Sequence, residues 1–465
     1  MKKTLLALAL GLAAFTGAWA GTDGQTYEPV NGIKIANQWI FDRVHSGSAY
    51  TSNPICNTYA RTATMIGDVV YVGRSNEKLA IVGTDSIDQC VIHRFSVKDG
   101  AYLGPLDLTL DGRPYGTFLG ATSVARDDFG HLIIAPMTSN VVVKIPIYTV
   151  NTETGELTLV TEMQKGDAPQ RTDYIDVMGD ITGEKAECNI MTVAGSTADP
   201  GFATVYRWHL NQGETYWEGG FEGDPYIDFT SFYPETKTGF SLAPVIKMVY
   251  GEDEETYYSG ELFYIDCFDG NPVLYSIDGT IIDTFEFVED ALRPKNAPNG
   301  MTEFTLDGRN FFVYVKSDMN GDSHGCQANI CEMGEGLTFE GMTKYWQVPA
   351  DSIGKVNDTG LRVHCFAVDK TVDAEGNEEV TLLTFKAYNG MAVYKIGKNV
   401  TTPDTDPEMP GDVNGDGKVD VDDVNTLINI LLGKAPETPA ANVDKQGGID
   451  VQDVNTLTNI LLGKV

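Results

Sequence analysis

Six repeats of a strand, glycine turn and strand run through most of the chain and restrict its fold more than any other feature. From about 21 to 398, short runs of Val, Ile, Tyr, Phe and Thr alternate with Gly, Asp and Asn turns, and helical periodicity is nearly absent. The turn glycines recur at intervals of 55 to 66 residues, at Gly100, Gly155, Gly213, Gly279, Gly336 and Gly397. Repeats of this length, each with about four strands, are typical of β-propeller blades. The sequence therefore predicts a mainly β fold with a six-bladed propeller over 21–398.

The sixth repeat stops at Gly397 without a fourth strand, which would leave an exposed sheet edge. The segment from Ile33 to Phe41 lies before the first full repeat and has the length of a strand. We expect it to supply the outer strand of the sixth blade and close the ring. Five or seven blades and a tandem pair of β-sandwiches are the alternatives. No WD, kelch or sialidase signature is present, so the repeats resemble a β-propeller of no named family.

Two calcium-loop patterns, offset by thirty residues, occupy the carboxyl end of the sequence. Ca²⁺ needs six to eight oxygen ligands, which a twelve-residue loop supplies from positions 1, 3, 5, 7, 9 and 12. In the first loop these positions hold Asp412, Asn414, Asp416, Lys418, Asp420 and Asp423. In the second loop they hold Asn442, Asp444, Gln446, Gly448, Asp450 and Asp453. At position 7 the ligand is the backbone carbonyl, of Lys418 or Gly448.

A helical pattern follows each loop, and both loops end in Asp where an EF-hand has Glu. In the first copy we expect a helix from Val424 to Leu432. Its predicted buried stripe contains Val424, Leu427, Ile428, Leu431 and Leu432. No strong helix pattern precedes either loop. With these features, residues 411–465 resemble a type I dockerin.

The resemblance implies a module that folds with Ca²⁺ and docks into a cohesin domain of another protein. The residues that it places at the cohesin interface lie at loop positions 10 and 11 and midway along each helix: Val421, Asp422, Ile428, Asn429, Val451, Gln452, Thr458 and Asn459. The second loop has three carboxylates against four in the first. Because calcium affinity follows ligand charge, we expect two sites, of which the second is weaker.

Targeting features and charge indicate an exported protein. Residues 1–20 have two lysines, an apolar run and an Ala18-Trp19-Ala20 end, which predicts a signal peptide cleaved after Ala20. No later stretch has the apolar length of a transmembrane helix. A net charge of −33 argues against nucleic acid or an anionic membrane surface as a partner. A Pro/Thr/acidic linker over 399–410 is expected to separate the two domains.

The seven cysteines do not form a dense disulfide framework. A local Cys326–Cys331 disulfide is one interpretation of the closest spacing, and buried thiols are the interpretation for the others. No Cys/His cluster suggests zinc.

A binding site in a propeller usually lies where the innermost strands meet, and five segments are predicted as inner strands: ATSVARDD, YIDVMGD, SLAPVIK, NGMTEFTL and LRVHCFAV. Polar residues on or beside them are Thr122, Ser123, Asp173, Asp176, Asn299, Glu303, Arg362 and His364. Asp176 and Glu303 are candidates for a catalytic carboxylate pair, which as acid and base or nucleophile hydrolyses a glycosidic bond. The alternative is that they are acidic residues of a channel without a catalytic role.

Two further stretches have competing interpretations. Nine aromatic residues between Tyr206 and Tyr233 pack between blades in the favoured interpretation and form a sugar platform in the other. The run from Asp318 to Ser323 begins like a calcium loop but lacks its Gly and final acid, which favours a hairpin turn. His93 and His209 are interpreted as ordinary strand residues.

Three functions follow from these features. The first is an exported calcium-binding protein that docks to cohesin and carries a propeller for glycan binding or accessory work in polysaccharide degradation. The second is a glycoside hydrolase or lyase on the propeller. The third is a structural protein for assembly at the cell surface.

Overall fold

The computed structural model shows two compact units, Met1–Thr401 and Thr402–Val465. It describes residues 22–82, 85–117, 119–138, 144–164, 171–182, 188–195, 204–211, 214–218, 227–228, 244–251, 257–266, 272–285, 300–317, 326–334, 337–354, 364–402, 411–414, 419–435, 439–444 and 448–461. The predicted signal peptide therefore lies outside the described residues. Within the described part of the chain, no helix has both the length and the apolar character needed to cross a bilayer.

The larger unit begins with strand β1 (Lys34–Asp42) and a short helix, α1 (Gly47–Thr51). Blade 1 follows, with β2 (Ala60–Ile66), β3 (Val69–Val82), β4 (Asp85–Ser96) and β5 (Tyr102–Asp107). Short strands β6 (Thr109–Leu110) and β7 (Arg113–Pro114) extend the outer edge of blade 2. Blade 2 itself contains β8 (Ser123–Arg126), β9 (Leu132–Ala135), β10 (Lys144–Val150) and β11 (Glu156–Gln164).

Blades 3 to 6 repeat the same antiparallel arrangement. Blade 3 contains β12 (Arg171–Gly179), β13 (Cys188–Gly195), β14 (Thr204–Asn211) and β15 (Glu214–Glu218), with β16 (Ile227–Asp228) beside β14. Blade 4 contains β17 (Val245–Val249), β18 (Leu262–Asp266), β19 (Val273–Ser276) and β20 (Ile281–Thr284). Blade 5 contains β21 (Met301–Leu306), β22 (Arg309–Ser317), β23 (Cys326–Glu332) and β24 (Thr343–Ile353). Blade 6 contains β25 (His364–Val372), β26 (Glu378–Lys386), β27 (Gly390–Gly397) and β1.

The first strand of each blade lies innermost. Strands β2, β8, β12, β17, β21 and β25 contact one another in that order, and β25 contacts β2 again. This closed ring is a six-bladed β-propeller, as predicted, and the tandem-sandwich alternative is wrong. Each of the five segments predicted as inner strands overlaps one of these strands.

The amino-terminal strand closes the ring, which confirms the prediction for this segment. Strand β1 pairs antiparallel with β27, so that Lys34 lies opposite Gly397 and Asp42 opposite Gly390. A bulge lies between Asn37 and Trp39. The last blade is therefore built from both ends of the domain, and its edge is paired.

An apolar core lies between each pair of neighbouring blades. Six clusters of buried residues each draw on two adjacent sheets, and the cluster between blades 6 and 1 contains Trp39 and Phe41 of β1. The indole N–H of Trp39 donates to the carbonyl of Val97, at 2.7 Å, just after β4 of blade 1. Strand β1 thus joins the last blade to the first through packing as well as pairing.

The turn glycine of blade 2 shows why the repeat needs Gly. Gly155 has a φ of +78° in the turn between β10 and β11, and an added Cβ would lie 2.1 Å from the carbonyl oxygen of Asp107. The backbone also uses this close approach, because the amide of Thr109 donates to the carbonyl of Gly155. Any other residue at this position would strain the backbone, and its Cβ would clash with the Asp107 carbonyl.

The interpretation of Cys326 and Cys331 as a disulfide is wrong. Both are buried on β23, and no disulfide joins them. They are five residues apart on one strand, so their side chains point to opposite faces and their Cα atoms are separated by about 16 Å. A disulfide needs Cα atoms within about 7 Å.

The smaller unit contains two helices, α2 (Val421–Leu431) and α3 (Val451–Leu461), and a 3₁₀ turn at Pro439–Ala441. Leu427, Ile430 and Leu457 are buried between α2 and α3. The predicted stripe is wrong for Ile428 and Leu432, which are exposed, whereas Ile430 takes the buried position. The helix also begins three residues earlier than expected, because Asp420 caps it: its side chain accepts the amide of Asp422 at 2.8 Å.

Candidate functional sites in the propeller channel and the paired loops

The inner strands of the propeller enclose a channel cavity of about 610 Å³. Small-molecule sites occupy about 300–1,000 Å³, so the cavity has the size of a ligand site. Its polar lining combines residues predicted from the sequence with residues that were not: Ser123, Asp128, Asp176, Lys247, Tyr250, Glu303 and His364.

A lysine and two carboxylates form the central cluster, which we define as Asp176, Lys247 and Glu303 from blades 3, 4 and 5. The ammonium of Lys247 lies 3.1 and 3.3 Å from the two carboxylate oxygens of Asp176. Asp176 also accepts the amide of Met248 at 2.7 Å. Burial raises the pKa of Asp176, while Lys247 and this amide act in the opposite direction. The first carboxylate of the predicted pair is therefore engaged by a cation and a backbone donor.

Glu303 differs from Asp176 because one of its oxygens is not satisfied. Its Oε2 atom is buried and has no hydrogen-bond partner among the described residues. Burial raises the pKa of Glu303 to about 7, with Lys247 lowering it and Asp176 raising it further. At neutral pH the group exchanges between a carboxylate and a carboxylic acid.

One end of the channel carries an aromatic rim, defined here as Phe129, Tyr250, Tyr257 and Tyr258. The ring centroids of Tyr250 and Tyr257 are 5.0 Å apart, and those of Tyr257 and Tyr258 are 4.9 Å apart. Phe129 is 55% exposed and Tyr257 is 43% exposed. The rim therefore offers ring faces to a ligand at the mouth of the cavity.

Two polar links cross the same end of the channel. The hydroxyl of Tyr250 donates to Asp128 at 2.5 Å, which joins blade 4 to blade 2 over blade 3. Burial, followed by Asp128, raises the pKa of Tyr250 well above its ordinary value, so it remains a donor. Arg126 donates to Asp369 at 3.2 Å and joins blade 2 to blade 6 over blade 1. These links connect blades 2, 4 and 6 at the mouth of the channel.

The other sequence candidates occupy different places. Ser123 and His364 line the cavity, and the Ser123 hydroxyl accepts the amide of Ile175 at 3.1 Å. Thr122 is buried and donates to the carbonyl of Leu119, and Asp173 is buried in an ion pair with Arg171. Burial holds the pKa of His364 well below its usual value, so the ring is neutral. Asn299 and Arg362 lie outside the described residues.

The aromatic stretch from Tyr206 to Tyr233 divides between the core and the residues that are not described. Tyr206 and Trp208 are buried in the apolar cluster between blades 2 and 3, as the favoured interpretation expected. The side chains of its other aromatics lie outside the described residues, as does the run from Asp318 to Ser323. His209 is buried, and His93 is a buried strand residue whose ring nitrogens contact Glu77 and Tyr102, at 2.5 and 2.8 Å.

Sequence reasoning missed Lys247, Asp128 and the aromatic rim. Asp128 and Lys247 lie in segments predicted as inner strands. The alternation of side chains between the two faces of a strand was the signal that could have placed them in the channel. The rim residues follow strand ends in two different blades, so their proximity depends on the ring closure and not on local sequence.

A cluster of Asp127, His131 and Asp180 lies near the channel, with ligand atoms within 4.8 Å of one another. Asp127 accepts the amides of His131 and Ile181, at 2.8 and 2.9 Å, and its Oδ2 atom lies 2.6 Å from the His131 ring. The Asp127 carboxylate is thus hydrogen-bonded within the protein and stabilises a turn.

In the smaller unit, each loop is organised by the carboxylate at position 12. Asp423 is buried and accepts the amide of Asn414 at 3.1 Å and the amide of Asp420 at 2.7 Å. The second loop repeats this arrangement, because Asp453 is buried and accepts the amides of Asp444 and Asp450 at 3.0 and 2.7 Å. The two copies therefore share one backbone design.

This donor set fits a calcium ion. Asp412, Asp420 and Asp423 bring carboxylates to the first loop, and two of the three are buried. The groups that donate hydrogen bonds to the Asp423 carboxylate at these two positions are neutral backbone amides. A buried charge in a protein is normally paired with an opposite charge or bound to a metal. Asp416, Lys418 and Gln446 lie outside the described residues.

Comparison with protein families decides the nature of this unit: residues 410–462 match the model of the dockerin type I domain. This segment is a type I dockerin. Dockerins of this type bind Ca²⁺ and dock to cohesin domains, and proteins that carry them are typically extracellular.

Comparisons of the whole chain add little. A search of curated proteins finds no match. Among solved structures, the chain is similar to a DUF4623 family protein from Bacteroides eggerthii, at 12% identity and a TM-score of 0.47, over 82% of this chain and 77% of that one.

The positions that the dockerin resemblance assigns to the cohesin interface are exposed in both repeats. Val421 is 67% exposed and Val451 is 66% exposed, although both are apolar. The other positions on the two helices are also exposed: Asp422, Ile428, Asn429, Gln452, Thr458 and Asn459. Exposed apolar side chains beside polar ones are a usual feature of a protein-binding surface.

Proposed function

We propose that this protein is exported, docks through its dockerin onto a cohesin-bearing partner, and presents the propeller channel as a carbohydrate-binding site for polysaccharide breakdown. The dockerin match over 410–462 is the observation that carries the docking role. The predicted signal peptide over 1–20 supports export.

The cohesin contact is proposed to use the exposed helix starts. Val421 and Val451 occupy equivalent positions one residue after the capping aspartates, Asp420 and Asp450. Because each loop fixes the start of its helix, bound Ca²⁺ orients these side chains. We propose two calcium sites, with the second weaker because it has fewer carboxylates.

Carbohydrate binding is supported by the channel. A cavity of suitable size opens at an aromatic rim, and tyrosine rings provide apolar faces for the C–H groups of a sugar. Asp128 and Glu303 line the cavity and provide hydrogen-bond partners for hydroxyl groups.

Docking is tested with the full chain and a panel of type I cohesin domains, measured by calorimetry in millimolar Ca²⁺ and in EDTA. We expect binding to at least one cohesin in Ca²⁺ and none in EDTA. The double variant Val421→Asp/Val451→Asp should weaken binding by at least about tenfold, because it places a charge in an apolar contact. Equal binding with and without Ca²⁺ contradicts the proposal.

A matched control keeps the same charge change on the same helices. Asn425 and Asn455 are exposed and lie outside the proposed contact positions. The double variant Asn425→Asp/Asn455→Asp should bind cohesin within about twofold of the unmodified chain. A loss as large as that of the valine variant would show that net charge, and not the contact, controls binding.

The carbohydrate role is tested with a glycan array probed with the full chain. We expect signals that disappear in a Tyr257→Ala variant and persist in Leu159→Ala, which removes an exposed apolar side chain on the outer strand of blade 2. Signals that survive Tyr257→Ala would place binding elsewhere.

Glycoside hydrolysis is the second candidate, and one observation favours it: the pKa of Glu303 at about 7 suits a general acid. Asp176 would be the second carboxylate, but its engagement with Lys247 and Met248 suits a nucleophile or base less well. Release of reducing sugar that is lost in both Glu303→Gln and Asp176→Asn would establish the enzyme. Equal turnover by the unmodified chain and both variants would exclude these residues.

A further inference from the structure

The charges in the channel are compensated unevenly. Asp176 is paired with Lys247, and Arg126 is paired with Asp369. Each of these pairs is close to neutral as a unit. The other carboxylates that line the described cavity are Asp127, Asp128 and Glu303, and Asp127 is already hydrogen-bonded to the amides of His131 and Ile181 and to the His131 ring.

Among the described residues, neither Asp128 nor Glu303 contacts a cation of its own. Asp128 accepts from the Tyr250 hydroxyl at 2.5 Å and from the amide of Gly179 at 2.7 Å, both neutral donors. Glu303 has a buried Oε2 atom without a partner among the described residues. A ligand that fills this cavity is therefore favoured if it brings a hydrogen-bond donor, and most favoured if the donor is positively charged.

The aromatic rim also favours a positively charged ligand. Lys247 already lies 5.9 Å from the ring of Tyr250, within the range of a cation–π contact. The exposed rings of Tyr257 and Phe129 offer further faces of this kind beside Asp128. Ring faces and uncompensated carboxylates together attract a cation more strongly than either group alone.

We propose that the channel binds a carbohydrate end that carries a protonated amine, with the ammonium pairing with Glu303 and Asp128 and the sugar face packing on Tyr257. This inference rests on the carbohydrate-binding role proposed above and specifies the class of sugar. An acidic sugar is disfavoured, because it would meet the carboxylates Asp128 and Glu303, whereas the cations that line the cavity are already paired with carboxylates of the protein: Arg126, Lys247 and Lys370.

The test compares four tetramers by calorimetry on the full chain at pH 7 in 0.15 M salt with Ca²⁺. Tetramers of glucosamine and N-acetylglucosamine have the same sugar backbone and differ in the amine charge. Tetragalacturonate supplies the opposite charge, and tetralysine supplies four positive charges without a sugar. We expect the glucosamine tetramer to bind at least about tenfold more tightly than its acetylated form, with the other two weaker still.

Variants connect the binding to the channel. Glu303→Gln and Asp128→Asn keep the shape of each side chain and remove its charge, so each should weaken the glucosamine tetramer by about tenfold and the acetylated form by a clearly smaller factor, because the amide still forms hydrogen bonds to hydroxyl groups. Glu162→Gln, on the outer strand of blade 2, removes one negative charge far from the inner strands and should change neither ligand.

The outcomes separate this inference from the role on which it rests. Equal affinity for the charged and acetylated tetramers, with both lost in Tyr257→Ala, overturns the amine preference and leaves carbohydrate binding intact. Absence of binding by every sugar overturns both. Tetralysine binding as tight as that of the glucosamine tetramer, unaffected by Glu303→Gln, overturns the inference by showing general attraction to an acidic protein.

Discussion

The propeller and the dockerin bury apolar surface on very different scales. Among the described residues, each of the six clusters between blades contains ten or more buried apolar residues, whereas the dockerin core contains six: Val413, Leu427, Ile430, Ala441, Val443 and Leu457. The propeller also pairs its backbone in six sheets that form a ring. A core as small as that of the dockerin supplies only a few kcal/mol in typical domains, so calcium binding must provide much of its folding free energy.

The two domains of this chain use their charged side chains differently. The propeller is stabilised by apolar contacts between its own blades. Its charged groups are not needed to bind a stabilising ion, and several of them line a cavity. In the dockerin, the carboxylates at positions 9 and 12 cap the helices and hold the loops, and they are also among the residues that we propose bind the ion.

Removal of calcium should unfold the dockerin and leave the propeller folded. Ion binding stabilises the folded loops by RT ln(1 + [L]/Kd), and EDTA removes this contribution entirely. We expect differential scanning calorimetry to show two transitions in Ca²⁺ and only the propeller transition in EDTA. A dockerin transition that is unchanged by EDTA would contradict the division.

Truncation of Trp39 should destabilise the propeller and not the dockerin. The side chain is 1% exposed between blades 6 and 1, and loss of a buried Trp side chain costs about 3–5 kcal/mol. Urea unfolding of Trp39→Ala should therefore show a large fall in the free energy of unfolding. Lys34→Ala, at an exposed position of the same strand, is the control and should change it by less than about 0.5 kcal/mol.

The pH dependence of propeller stability should contain a contribution from Glu303. Its folded pKa of about 7 lies above its ordinary value of 4.5, so the folded state binds more protons between these values and stability falls as pH rises through the window. At 1.36 kcal/mol per pKa unit, the contribution is at most about 3 kcal/mol. The groups that face Glu303 are Lys247 and Asp176, with His364, Asp369 and Lys370 of β25 lining the same cavity.

The measurement for this prediction is the difference in unfolding free energy between the unmodified chain and Glu303→Gln at pH 5 and pH 8. The variant should be relatively more stable at pH 8, because glutamine has no charge to bury. An identical pH profile for the two proteins would show that Glu303 has the same pKa folded and unfolded.

The two calcium loops should differ in sensitivity. Asp416→Ala and Asp423→Ala each remove a carboxylate from the first loop, whereas Gln446→Ala removes a neutral ligand from the second. We expect calcium affinity to fall by about tenfold or more in the aspartate variants and by less in Gln446→Ala. Calorimetric titration resolves the two, and equal losses would contradict the ranking of the sites.

Repeated patterns made most of the fold predictable from the sequence. The glycine spacing indicated six blades, and the incomplete sixth repeat indicated that Ile33 to Phe41 closes the ring. These inferences succeeded because strand periodicity and unpaired edges have local signatures. The dockerin was predictable for a similar reason, since ligand spacing within a loop is fixed by the size of the ion.

The channel was predictable only in part, because its geometry depends on contacts between distant blades. Asp176 and Glu303 were identified as channel residues, but the pairing of Asp176 with Lys247 needed the ring. Ile428 and Leu432 fitted a buried helical stripe in sequence, yet they are exposed because the packing partner, α3, covers only the side that carries Leu427 and Ile430. Periodicity gives the faces of a helix, and tertiary contacts select the one that is buried.

The pairing of β1 with β27 has a consequence for how the protein is made. The first strand to leave the ribosome finds its partner only after more than three hundred further residues have been synthesised. Until then, the segment that contains Trp39 and Phe41 must stay extended and unpaired. If the chain is exported as proposed above, this order of synthesis would make assembly of the ring an event that follows translocation.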